Sequence, residues 1–220
     1  MIIERLIEFI KFPTSVEEFL LMIGNAYLKI ASTVNNLITA NYKVYDDMQV
    51  SVNNIAKGVK APTDRPYTYG VGAIITFATL GFAKNDYVHF DIQTSHSMEI
   101  NSTLEVHIHF TLPSVAADAG KKIVWRLDVI YATVNGTWTL VTGSPFTSPT
   151  YVVVTGDNTI ARMLSIATLP AVNTTVSTIY KCILTRVDGV ATEYPPEAYL
   201  VYIDCHYLKD TNVSATGNAK

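Results

Sequence analysis

Apolar and polar positions alternate along most of the chain beyond about residue 70, and along little of it before. The clearest run is Leu104 to Phe110, where Leu104, Val106, Ile108 and Phe110 point one way and Glu105, His107 and His109 the other. A strand with one buried face requires this alternation. The same pattern predicts strands over 73–79, 86–93, 102–112, 122–134, 137–142, 150–155, 160–169, 177–187 and 198–208. Asn135-Gly136 and Asp188-Gly189 read as hairpin turns, and Gly143-Ser144-Pro145 and Gly156-Asp157-Asn158 as loops. Strands joined by short turns, without strand–helix alternation, predict an antiparallel jelly-roll-like sandwich.

The N-terminal third has helical spacing instead. Residues 1–12 carry Ile2, Ile3, Leu6, Ile7, Phe9 and Ile10 on a broad apolar face that ends at Pro13. Ser15, with Glu18 three residues on, opens a second helix, and its first turns from Phe19 to Ile23 are apolar nearly all round. From there the positions Val34, Ile38, Asn41, Tyr45, Met48, Val52, Ile55 and Val59 are spaced alternately four and three apart, a heptad seam with one polar member. A helix over that span is about 40 Å long at 1.5 Å per residue. Gly58, Pro62 and Pro66 stop it.

The expected organisation is therefore mainly β with a helical N-terminus. It comprises a helical anchor (1–33), a short coiled-coil stalk (34–60), a linker (61–72), a β-sandwich head (73–210) and a C-terminal tail (211–220). Ile3, Leu6, Ile10, Phe19, Leu20 and Met22 are the candidate anchoring residues.

Composition sharpens this. Charged residues make up only 16% of the 220, and the net charge is −3. The mild acidity gives a nucleic-acid partner no electrostatic support. Low charge points to surface hidden between subunits, because interface cores are depleted of charge. No uninterrupted apolar run approaches the roughly 20 residues of a membrane span. Cys182 and Cys205 both fall in strand-like runs, where buried free thiols are the commoner arrangement, although neighbouring strands would let them pair.

Candidate chemistry lies in three strand pairs: His89 with Asp91, His107 with His109, and Asp204 with His206. Each pair is two residues apart and so shares a face. All six are able metal ligands for a zinc- or manganese-type ion. The adopted reading is architectural, a row of polar side chains bonded across strands, with no metal, no cofactor and no catalytic residue; a structural metal and a cupin-type catalytic metal are the alternatives. A serine-nucleophile elbow, a positioned Cys–His pair and a phosphate-cradling loop are all absent from the sequence. Glu193 and Glu197 are candidates for paired carboxylates, and Tyr67, Tyr69, Trp138 and Tyr194 for stacking on sugars, although ordinary loop and strand roles account for both sets.

Three motifs carry a resemblance. Gln93 and His96 form a Gln-x-x-His strand end, His107, His109 and Phe110 a His-x-His-aromatic strand, and Ile203, Asp204, His206 and Tyr207 an Ile-Asp-x-His-Tyr strand near the C-terminus. In this they resemble a group of tailed-phage virion proteins, over roughly residues 85–210. Ser95 replaces that group's usual Pro, and Phe110 its usual Trp. The resemblance implies a non-enzymatic structural component of a bacteriophage virion, typically a trimeric head fibre or capsid decoration. Its expected partners are its own copies, a capsid or tail protein, and host surface glycans met by the head loops. A tail-needle knob or receptor-binding tail tip is the alternative within that group, and a cupin-like metal enzyme the alternative outside it.

Overall fold

The computed structural model describes residues 15–41, 45–68, 76–95, 97–99, 102–113, 117–170, 178–187 and 191–209. The chain divides into two units after Lys43. The first contains helix α1 (Val16–Asn41). Ser15 caps it as its sequence position predicts: the Ser15 hydroxyl oxygen accepts from the Glu18 N–H at 3.1 Å. Such a cap contributes about 1 kcal/mol. The described side chains of the helix, through Val34, are all exposed.

The second unit is the sandwich. Its strands begin with β1 (Tyr45–Ser51), β2 (Ala56–Lys57), β3 (Thr63–Thr68), β4 (Thr76–Phe82), β5 (Tyr87–Gln93), β6 (Leu104–Thr111) and β7 (Lys122–Ala132). They continue with β8 (Thr139–Leu140), β9 (Phe146–Thr147), β10 (Tyr151–Val152), β11 (Arg162–Leu169), β12 (Ile179–Val187) and β13 (Ala198–Leu208). One sheet has the order β11-β6-β13-β4-β3, with β1 paired to β13 beyond the end of β4. The other has the order β10-β7-β12-β5-β2, with β8 and β9 also lying along β7. The neighbours β4-β13-β6-β11 in one sheet and β5-β12-β7 followed by β8 to β10 in the other give the eight-position double Greek key of a jelly roll. Its last position is split over three short strands.

Alternation explains the core. Leu104, Val106, Ile108 and Phe110 of β6 are fully buried, as are Ile203 and Cys205 of β13. Trp125 of β7 is fully buried and meets Phe82 edge-on at 5.1 Å. Each such side chain contributes roughly 1.5–3 kcal/mol through burial. Cys182 and Cys205 are buried and free, one in each sheet.

The predicted stalk requires correction. The helix stops at Asn41, so of the proposed seam only Val34, Ile38 and Asn41 lie on it. Tyr45 and Met48 belong to β1, Val52 opens a 3-10 turn, and Ile55 and Val59 flank β2. The cause is a competing period. Met48, Val50 and Val52 pack against the sandwich core, which is period two, and the pairing of β1 with β13 overrides the helical spacing. The linker is corrected too, since β3 runs through it with Pro66 inside. β3 ends its sheet's strand order, where a missing N–H is tolerated. Asn135 has φ +60° and the Gly136 N–H donates to the Thr133 carbonyl, but the turn sits in a longer loop between β7 and β8. Asp188-Gly189, residues 1–12 with the anchor candidates Ile3, Leu6 and Ile10, Tyr69 and His96 lie outside the described residues.

Candidate functional site

The outward face of β6, β13 and β1 carries a cluster of three imidazoles and three carboxylates. Register builds it. Asp204 stands opposite His107, His206 opposite Glu105, and Tyr202 opposite His109 across β6 and β13. On the other side of β13, Asp47 of β1 stands opposite His206. Residues in register share a face, so inward Ile203, Cys205 and Tyr207 force Asp204 and His206 outward.

Asp204 is the centre. Its side chain is 7% exposed, and Oδ2 lies 3.1 Å from His109 Nε2 and 3.3 Å from His206 Nε2. Its other oxygen, Oδ1, is 3.8 Å from Nδ1 of His107. Both Oδ1 and that Nδ1 are buried without a hydrogen-bond partner. His107 Nε2 lies 3.8 Å from Glu105 Oε2, and His206 Nε2 lies 3.3 Å from Asp47 Oδ1. The His107 and His206 rings meet edge-on at 4.3 Å, and His109 stacks on Tyr202 at 4.1 Å. Burial, and secondarily His206, push the His107 pKa below the ordinary histidine value. Burial, with Asp204 and Asp47 nearby, pushes the Tyr202 phenol up. One ligand atom each from Glu105, His107 and His206 lie within 4.8 Å of one another.

The six predicted residues therefore separate. His107, His109, Asp204 and His206 come together, whereas His89 and Asp91 are on β5 in the opposite sheet. There Asp91 pairs with Lys181, His89 meets the Tyr87 ring, and both line a groove of about 250 Å³ with Leu140 and Ile183. Glu105 shows the outward spacing of its histidine neighbours and could have been chosen from the sequence. Asp47 could not, because Tyr45, Met48 and Val52 around it have helical spacing in the sequence.

The other candidates serve the fold. Glu197 is held by Arg65, and Glu193 lies 3.5 Å from Lys84 and 3.7 Å from Arg186. Arg65 keeps the Glu197 carboxyl below its ordinary pKa, opposite to what a general acid needs. Tyr67 and Tyr194 are buried, and Trp138 is exposed.

No family model matches the chain, and no curated protein matches it. Solved structures match the chain only distantly. A solved structure of infectious bursal disease virus Gx strain matches at 10% identity with a TM-score of 0.37, over 79% of this chain and 34% of that one. The chain thus spans about a third of that viral chain's length. The xylan-binding module CBM15 matches at 11% identity with a TM-score of 0.38, over 77% of this chain and all of that one. The module TmCBM61, solved with β-1,4-galactotriose, matches at 8% identity with a TM-score of 0.28, over 76% of this chain and 88% of that one.

Proposed function

We propose that the chain is a non-enzymatic structural component of a tailed-phage virion, a trimeric projection whose helix α1 joins three copies and whose jelly-roll units are displayed. One observation carries this reading. Along α1 the positions Val16, Leu20, Ile23, Tyr27, Ile30, Val34, Leu37 and Asn41 are spaced alternately four and three apart over the full length of the helix. The first six are between 47% and 75% exposed. Phe19, Leu21 and Leu28 add further exposed apolar surface. The first turns, Phe19 to Ile23, are apolar nearly all round, and such a stretch is stable only when enclosed. Among the described residues no helix is long and apolar enough to cross a membrane.

The seam's side chains favour more than two strands. With Leu20, Tyr27, Val34 and Asn41 as the a positions, the d positions are Val16, Ile23, Ile30 and Leu37. β-branched residues at d fit trimers and tetramers better than parallel dimers. A polar Asn41 at a fixes the register at some cost in stability. The Gln-x-x-His, His-x-His-aromatic and Ile-Asp-x-His-Tyr motifs supply the phage assignment.

Deleting residues 1–12, which leaves the α1 seam in place, tests the anchor: particles assembled with the shortened chain should lack it, and wild-type copy number would refute attachment through this segment. An adsorption-competition assay with the intact chain separates a head fibre, which leaves infection unaffected, from a receptor-binding tail tip, which blocks it.

A further inference from the structure

We infer that the outward face of β6 and β13 holds one first-row divalent cation of the zinc type, with Glu105, His107 and His206 as its protein ligands. The reading departs from a purely architectural row of side chains and does not depend on the trimer.

The donor set is a carboxylate and two imidazoles whose ligating atoms lie within 4.8 Å of one another. Zinc bonds of 2.0–2.2 Å in a tetrahedron place ligand atoms about 3.3 Å apart. The remaining contraction is on the order of 1 Å, and Glu105 can supply it, because its side chain is 48% exposed. Its Oε2 is already 3.8 Å from His107 Nε2. The most buried member, His107, is fixed by the strand register opposite Asp204.

The unsatisfied atoms have their explanation here. A metal-bound histidine usually donates its second ring N–H to a carboxylate, which sets the tautomer and the ring's orientation. Ligation through Nε2 requires the proton of His107 on Nδ1, where it faces Asp204 Oδ1 at 3.8 Å. Both atoms are buried without a hydrogen-bond partner. A buried polar group left in that state costs about 1–3 kcal/mol. An ion bound at Nε2 of His107 also gives Asp204 its role as a positioning residue. Asp204 Oδ2 also faces Nε2 of His206, so with His206 ligating through Nδ1 one carboxylate orients both imidazole ligands.

Charge points the same way. Asp47, Glu105 and Asp204 place three carboxylates on one patch of the face. With neutral imidazoles a divalent ion offsets most of that charge. Nitrogen donors favour zinc, nickel and cobalt over magnesium and calcium, which prefer all-oxygen shells. His206 is 30% exposed, and with Glu105 it leaves the ion a route from solvent.

The test uses the untagged full-length chain, stripped with a chelator and titrated with Zn2+ by calorimetry, with Mg2+ as the contrast. The expected result is one Zn2+ per chain, no comparable Mg2+ uptake, and a Tm that rises with Zn2+ concentration. Cobalt(II) in place of zinc should give visible absorption bands of a four-coordinate site. Glu105→Gln keeps the shape of a half-exposed side chain and should retain the fold while weakening Zn2+ binding at least tenfold. His206→Gln should weaken it as much or more. Absence of stoichiometric Zn2+ binding by the wild-type chain overturns the site, as does Zn2+ binding unchanged in both variants.

Discussion

Arg186 holds the Phe82 backbone from inside the sandwich, its Nη1 donating to the Phe82 carbonyl oxygen at 2.9 Å. The same guanidinium donates to the carbonyls of Tyr194 and Pro196, and its carbon sits 5.6 Å over the Tyr194 ring. Arg186 is 1% exposed, so one buried cation ties the end of β4 and the segment before β13 to β12. Burial pushes its pKa down and Glu193 opposes that push.

Arg186→Met should therefore destabilise by about 3–5 kcal/mol, as expected when a buried charged group is removed from its partners. Arg186→Lys should recover only part of this, because an ammonium lacks the planar fork that reaches several carbonyls at once. Urea unfolding midpoints of the two variants read the difference, and a loss under about 1 kcal/mol for the Met variant would contradict the assignment.

Acid should weaken the hold of β3 on the segment that leads into β13. Arg65 Nε donates to Glu197 Oε2 at 2.6 Å, and the Thr63 hydroxyl donates to Oε1 at 3.0 Å. Arg65 first, then Thr63, lowers the Glu197 pKa in the fold, and Arg186 contributes at longer range. A depressed carboxyl pKa stabilises fully above the unfolded value, near 4.3, and loses that stabilisation as pH falls through the folded value. Arg65 is half exposed, so solvent screening keeps the contribution small. Glu197→Gln should flatten the stability profile below about pH 5 relative to wild type. Equal slopes in the two proteins would count against the pair.

Asp157 is a buried hub between β10 and β11. Its Oδ1 accepts from Arg162 Nε at 2.8 Å, and its Oδ2 from the Tyr151 hydroxyl at 2.9 Å and the Val154 N–H at 2.8 Å. Burial first, with Asp157 added, pushes the Tyr151 phenol up to about 12. Asp157→Ala should cost about 3 kcal/mol by orphaning these donors. Asp157→Asn should bring the Tyr151 titration down towards the ordinary tyrosine value, as read by NMR on the labelled ring. A Tyr151 pKa unmoved in Asp157→Asn would show that burial acts alone.

The sandwich was legible where one face of a strand is buried and the other wet. β13 was predicted residue for residue over Ala198–Leu208, and β6 within the predicted 102–112. β1 was not, because Tyr45, Met48 and Val52 imitate a heptad and the pairing that makes a strand of them lies more than 150 residues away. β3 was hidden by Pro66, which local rules assign to a linker. For the site, spacing within a strand found His107, His109, Asp204 and His206 but could not say which strands share a sheet. His89 and Asp91 share that spacing but stand on β5, in the other sheet.

In the proposed trimer, charge placed on the α1 seam should dissociate the copies without unfolding the jelly roll. Ile23 and Ile30 occupy successive d positions, and Ile23→Lys with Ile30→Lys puts like charges at the shared core. The doubly substituted chain should sediment as a monomer with an unchanged β-sheet circular dichroism signal. A double variant of wild-type mass would remove the seam as the joining surface.

Light scattering of the purified 220-residue chain counts the joined copies outright. Three copies joined through α1 give a mass near three times the 24.2 kDa of one chain, constant on dilution through the micromolar range. A mass of 24.2 kDa at those concentrations would contradict the account.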